Sequence, residues 1–197
     1  MRIILASSSP RRQQLLRELG LPFAVVKPDI DESRGDDESL LDYVKRLSLE
    51  KAEAEAVTLE DSAALVIAAD TIVIDHEGDL LGKPADAAEA RRMLRRLRNR
   101  EHAVVTAFTI LRTGDRPRAI SGCVRTAVTM RDYSDEEIET YIASGDPFDK
   151  AGGYAIQNKS FKPVARIEGS YSNVVGLPLD ELQQSLSEFD VFSAPRV

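Results

Sequence analysis

Apolar residues fall along this chain into two kinds of segment, short unbroken runs and stripes spaced three and four apart. Arg2 to Ala6 is a short apolar run, consistent with a buried strand. Arg11 to Leu19 carries Leu15, Leu16 and Leu19 at helical spacing. Ser9 before it can cap the free N–H groups, Pro10 suits the first helical position, and Gly20 can take the left-handed conformation that ends a helix. Phe23 to Val26 reads as a second strand and Pro28 to Asp37 as a polar loop. Ser39 to Val57 is a long helical pattern with Leu40, Val44, Leu47 and Ala54 on one side. Ala63 to Asp75 is the strongest strand signal, interrupted by Ala68-Ala69-Asp70-Thr71.

Further along, Asp86 to Asn99 predicts a helix, and His102 to Leu111 and Ile120 to Met130 predict strands joined around Gly114 to Pro117. Ser134-Asp135-Glu136-Glu137 is a capping box opening a helix to about Ala143, which Gly145-Asp146-Pro147 ends. Asp149 to Gly153 reads as a turn, Tyr154 to Gln157 and Val164 to Ile167 as short strands, and Asp180 to Glu188 as a helix with Leu182 and Leu186 inward. There is no internal repeat. The alternation of strands and helices, with long neighbouring strands in the middle, predicts an α/β fold with a mixed sheet.

Length and composition narrow the function classes. At 197 residues, one compact domain over 1–197 is expected, with two small lobes as the upper limit. With 43% hydrophobic and 30% charged residues the chain is too apolar to be disordered. One cysteine, Cys123, excludes an intrachain disulfide, and with only His76 and His102 beside it the usual zinc ligand sets are out of reach. Net charge is -7, which argues against a general grip on nucleic acid; an anionic ligand must be held by a local cluster. No apolar stretch approaches the roughly 20 residues that span a bilayer, and the N-terminal run is too short for a signal peptide, so a cytoplasmic protein without membrane contact is expected.

Four places could carry chemistry. Ser7-Ser8-Ser9-Pro10-Arg11-Arg12 is a strand–turn–helix entry, where unpaired N–H groups, serine hydroxyls and two guanidinium groups suit a phosphate. Simple capping by Ser9 with solvated arginines explains the same residues, and the P-loop spacing is absent. Asp70 lies inside an apolar run, where an acid is costly unless paired, solvated or bound to metal; it reads as catalytic or as a strand-end cap. Lys51, Lys83 and Lys150 are isolated lysines that could surround a polyphosphate or stand on the surface. Asp29, Asp31 and Glu32 offer oxygen ligands of the kind Mg²⁺ takes, or form a solvated acidic loop. Arg91 to Arg100 reads as a solvated face opposite Met93, Leu94 and Leu97, and Cys123 as a small strand residue rather than a nucleophile.

Taken together, these segments resemble the Maf family of nucleoside triphosphate pyrophosphatases. The resemblance rests on Leu5 to Arg12 with Leu15-Leu16, Asp31-Glu32, Lys51-Ala52, Ala69 to Val73 and Gly82-Lys83-Pro84. It rests also on Tyr141, Gly145 to Pro147, Asp149 to Gln157 and Gly169 to Leu179. It implies a Maf/ITPase-like fold, a mixed twisted sheet flanked by helices with two lobes around a central cleft, and a homodimer. It implies hydrolysis of a nucleoside triphosphate to the monophosphate and pyrophosphate with Mg²⁺ or Mn²⁺. By the resemblance Asp70 is the general base, and Arg11, Thr71 and Gln157 bear on substrate choice. The chemistry of the other candidates makes Glu32 and Lys83 further expected catalytic groups, with Glu32 and Asp70 expected to hold the metal. Ser7, Ser8, Ser9, Arg11, Arg12, Lys51, Thr71 and Gln157 would bind substrate. Gln157 after Tyr154-Ala155-Ile156 resembles the branch acting on dTTP and UTP, and an amide suits the edge of a uracil or thymine ring. The same reaction on 7-methyl-GTP or another base, and a non-catalytic nucleotide-binding regulator of cell division, are the alternatives. The chain departs from the family pattern at Ala107 and Asn158, each where glycine is usual, and in having no histidine in Cys123 to Thr126.

Overall fold

The computed structural model describes residues 1–59, 63–189, 191 and 192; the end of the domain expected over 1–197 lies outside the described residues. The elements run β1 (Arg2–Ala6), α1 (Pro10–Glu18), β2 (Ala24–Val26), α2 (Leu40–Thr58), β3 (Ala64–Ile74) and β4 (Leu80–Leu81). They continue with α3 (Ala87–Leu97), β5 (Glu101–Arg112), β6 (Arg118–Met130), α4 (Asp135–Ala143), two 3-10 turns (Asp146–Asp149 and Ala151–Gly153), β7 (Val164–Glu168), α5 (Tyr171–Val175) and α6 (Leu179–Ser187). The strand order is β2-β1-β3-β5-β6-β7, with β4 also paired to β3. β1 is parallel to both β2 and β3, whereas β4 and β7 pair antiparallel, so the sheet is mixed as the sequence predicts. Among the described residues no helix is long and apolar enough to cross a membrane.

The chain separates into two compact units, and β3, β5 and β6 each pass from one to the other along their length. The first comprises Met1–Asp70, Thr106–Val124 and the described residues from Gly176 onward. Its parallel strands pair Ile4 with both Ala24 and Val66, and Leu5 with both Val25 and Ile67. The β1 and β3 runs are buried on both faces, which is why they read as unbroken apolar segments. Ser9 caps α1 by accepting from Arg12 N, Pro10 opens the helix, and Gly20 follows its end at a φ of +70°. A small-residue cluster of Ala6, Ala52, Val66 and Ala68 brings α2 close to β1 and β3. The buried stripe of α2 runs Val44, Leu47, Ser48, Lys51, Ala52 and Glu55, so it carries a lysine and leaves the predicted Ala54 only half-buried.

The second unit comprises Thr71–Val105 and Arg125–Val175. The end of β3 turns through Asp75 to Asp79 into β4, pairing Val73 with Leu81. Its core gathers Val73, Leu81, Leu94, Leu97, Val104, Met130, Tyr133, Ile138, Tyr141, Tyr154 and Phe161. The Ser134 capping box is present at the start of α4. β3 forms as the single strand expected and continues through Ala68 to Thr71. Two expectations need correcting. The strand expected over Tyr154 to Gln157 does not form: Tyr154 is extended, but Ala155 to Asn158 is a turn, closed by the N–H of Asn158 on the carbonyl of Ala155. The arginines of α3 and its C-cap are not merely solvated: Arg91 pairs with Glu139, Arg95 and the capping Arg98 with Asp135, and Arg96 with Asp75, Glu77 and Asp79.

Candidate active site

In the first unit, the turn after β1 folds on itself. Ser7 is buried, and its Oγ accepts from the N–H of Ser9 at 3.2 Å and from Nη1 of Arg12 at 3.4 Å. Ser9 Oγ accepts from the N–H of Arg12 at 3.4 Å, and Ser8 between them is exposed. Both hydroxyls are used here as acceptors, which leaves their protons to give. Nε of Arg12 donates to the carbonyl of Gly176 at 2.7 Å, so this arginine also ties the turn to the chain just before α6. Burial pushes the Arg12 guanidinium below its ordinary pKa; Asp70 and Glu32 pull it back up and neighbouring Arg11 adds to the lowering.

Lys51 joins two acids. Its Nζ donates to Oδ1 of Asp70 at 2.7 Å and lies 2.7 Å from Oε1 of Glu32. The Lys51 and Asp70 side chains are only 9% and 14% exposed, whereas that of Glu32 is 55% exposed. Two hydrogen-bonding or ionic partners leave a lysine ammonium with a third N–H to offer. The oxygens of Glu32 and Asp70 are therefore held beside one cation, and two hard anionic oxygens are the donor chemistry that Mg²⁺ and Mn²⁺ accept. By that test Glu32 and Asp70 fit a divalent ion.

The loop bearing Glu32 is stitched to α2. Tyr43 Oη donates to the carbonyl of Glu32 at 2.8 Å, and Nη2 of Arg46 donates to the carbonyl of Ser33 at 2.9 Å. Arg46 also grips Glu38 through Nε at 2.6 Å. Burial raises the pKa of the Tyr43 hydroxyl, and the negative fields of Asp70 and Glu32 raise it further. Asp31 Oδ1 accepts from the hydroxyl and N–H of Ser33, which lower the pKa of its carboxyl. Tyr43 and Arg46 are absent from the residues the sequence singles out. Their spacing of three along α2 puts them on one helix face, but nothing in the pattern says that a loop returns to it.

Thr71, Lys83 and Gln157 belong to the second unit. Thr71 directly follows Asp70 in β3, and Lys83 is exposed in the Gly82–Pro84 segment after β4. Gln157 is half-buried in the turn that starts at Ala155. Lys150 takes no exposed role: it is buried and paired with Asp146 and Asp149. The three acids Asp75, Glu77 and Asp79 come within metal-ligand distance of one another, but Arg96 engages all three. His102 is buried with Nε2 at 2.7 Å from Tyr154 Oη, and burial lowers its pKa to about 4 against a smaller raising effect of Asp75. Cys123 is an exposed residue of β6.

A protein from Geotalea uraniireducens named dTTP/UTP pyrophosphatase is 49% identical to this chain over 184 residues, covering 93% of each. One of the same name from Dictyoglomus turgidum is 45% identical over 188 residues, covering 95% of each. In fold, the chain is similar to the Ham1 protein of Staphylococcus aureus, with a TM-score of 0.50 at 14% identity over 96% of this chain and 100% of that one. The family model described as Maf-like protein matches residues 2–189, and the chain belongs to that family.

Proposed function

We propose that this protein is a metal-dependent nucleoside triphosphate pyrophosphatase that takes dTTP and UTP. The observation that carries the reading is Lys51 Nζ held at 2.7 Å from both Glu32 and Asp70, beside an arginine whose pKa those two acids influence. A half-buried carboxylate paired with a lysine ammonium supports a water-orienting role beside a polyanion. The names of relatives at 45% and 49% identity agree with that chemistry.

In this reading water attacks the α-phosphorus. The new P–O bond forms as the bond to the β-phosphate oxygen breaks, pyrophosphate leaves, and the water proton passes to the Asp70 carboxylate. Catalysis of phosphoryl transfer is mostly positioning and charge neutralisation. The Ser7–Ser9 turn with the N-terminus of α1, Arg11, Arg12 and Lys83 grips the phosphates, and Lys51 turns its remaining N–H to them. Lys51 also keeps two carboxylates together that would otherwise repel. A divalent ion held by Glu32 and Asp70 would supply neutralisation of phosphate charge. Thr71 and Gln157 select the base, the Gln157 amide offering a donor and an acceptor to a uracil or thymine edge.

The test is a panel of nucleoside triphosphates, 7-methyl-GTP included, assayed for pyrophosphate release with Mg²⁺, with Mn²⁺ and with chelator. The reading predicts turnover of dTTP and UTP that chelator abolishes. Turnover confined to 7-methyl-GTP would overturn the base assignment. Nucleotide binding without turnover in either metal would identify a non-catalytic regulator.

A further inference from the structure

We propose that Asn158, with Asp146 as its anchor, is a positioning residue that fixes the orientation of Gln157 and thereby sets base selectivity; the proposal rests on the reading of Gln157 as the base-contacting residue. Gln157 occupies the third position of a β-turn from Ala155 to Asn158, closed by the Asn158 N–H on the Ala155 carbonyl at 3.1 Å. A two-residue tip of this kind pivots unless its corners are held. Both corners are held through one carboxylate. The N–H of Ala155 donates to Tyr141 Oη at 3.2 Å, and Nδ2 of Asn158 donates to Oδ2 of Asp146 at 3.1 Å. Tyr141 Oη in turn donates to that same Oδ2 at 2.8 Å.

Asn158 also organises the segment from Lys159 to Lys162. Its Oδ1 accepts from the N–H groups of Ser160 at 3.1 Å and Phe161 at 2.7 Å, and its carbonyl accepts from the N–H of Lys162 at 3.1 Å. Phe161, placed by that contact, stacks on the Tyr141 ring at 4.4 Å between centroids and 14° between planes. The turn carrying Gln157 is thus locked between α4 and the chain leading to β7. A glycine at this position would keep the main-chain bonds and lose all three made by the side chain. Nothing in the Asn158 backbone requires glycine, since its φ is not positive. Lys150 completes the anchor by pairing with Oδ1 of Asp146 at 3.1 Å, which helps to hold that carboxylate toward the turn.

The experiment compares Asn158→Ala, Asn158→Asp and Gln157→Ala with the wild-type chain, measuring kcat and KM for UTP and CTP by pyrophosphate release. Asn158→Asp keeps an oxygen for Ser160 and Phe161 but turns an acceptor on Asp146, so it isolates the anchoring contact. The proposal predicts that both Asn158 variants raise KM for UTP and narrow UTP-over-CTP discrimination by about tenfold, the fold-change of one or two lost hydrogen bonds, with kcat for UTP little changed. It predicts that the Asn158→Ala/Gln157→Ala double variant loses no more discrimination than Gln157→Ala alone. A structural defect instead lowers kcat through the folded fraction and leaves KM and the base ratio alone; that result overturns the proposal. So does discrimination lost in Gln157→Ala but kept in both Asn158 variants. Discrimination kept in Gln157→Ala overturns the reading of Gln157 itself, and the positioning role with it.

Discussion

His102 makes the acid limb of the stability curve predictable. It is 4% exposed, in β5, with Nε2 engaged by Tyr154 Oη and Nδ1 without a hydrogen-bond partner among the described residues. Burial lowers its pKa from 6.5 to about 4. The unfolded chain therefore binds a proton that the folded chain refuses, and folded stability falls as pH drops between those two values. At about 1.4 kcal/mol per pH unit, the whole effect is worth about 3 kcal/mol, of which about 2 kcal/mol is lost by pH 5. Above about pH 7 the group is neutral in both states and contributes no pH dependence. The perturbation is His102→Gln, which keeps an amide within reach of Tyr154 and cannot titrate. Urea unfolding of both proteins from about pH 4 to about pH 8 gives the difference in unfolding free energy at each pH. Carboxylates titrate alike in the two chains and cancel. The difference should move in favour of the variant by about 2 kcal/mol between about pH 7 and about pH 5. A difference that stays constant across the range refutes the reasoning.

Three further outcomes follow from packing and chemistry elsewhere. At Gly122 in β6 an added Cβ would stand 2.5 Å from Cε1 and Cζ of Phe108, a fully buried ring, so Gly122→Ala should cost about 1–3 kcal/mol by urea unfolding. Asn173 is fully buried and its Nδ2 donates to the Val104 carbonyl at 3.1 Å and to Thr126 Oγ1 at 2.9 Å; Asn173→Ala should lower stability by about 2 kcal/mol, measured the same way. Cys123 is exposed and its pKa is raised by partial desolvation on the strand, so Cys123→Ser should leave kcat unchanged, and a thiol reagent should label the native chain without inactivating it.

Much of the fold is written in local signals. The Ser9-Pro10 start of α1, its Gly20 stop and the Ser134 capping box each act through neighbours in sequence, so pattern alone locates them. Lys51 also leaves a trace: it sits four residues after Leu47, inside the apolar stripe of α2, where a lysine needs a buried anion to justify it. What the pattern does not carry is long-range return. The acidic loop is positioned by Tyr43 and Arg46, which look like ordinary surface residues until the loop folds back on them. The α3 arginines look solvated because Asp135 and Glu139, their partners, lie some forty residues away. Tyr154 to Gln157 has strand-like composition, but the bond from Asn158 to Ala155 and the hold of Tyr141 win over that propensity.

The proposed hydrolysis depends most on Asp70 as the proton acceptor. Asp70→Asn keeps the side chain's shape and leaves Lys51 its contact with Glu32, so the fold should survive. With circular dichroism and thermal unfolding showing a folded protein, pyrophosphate release from UTP should fall by about 10²–10⁴ in kcat. A folded Asp70→Asn chain that turns over UTP at the wild-type rate would contradict the account.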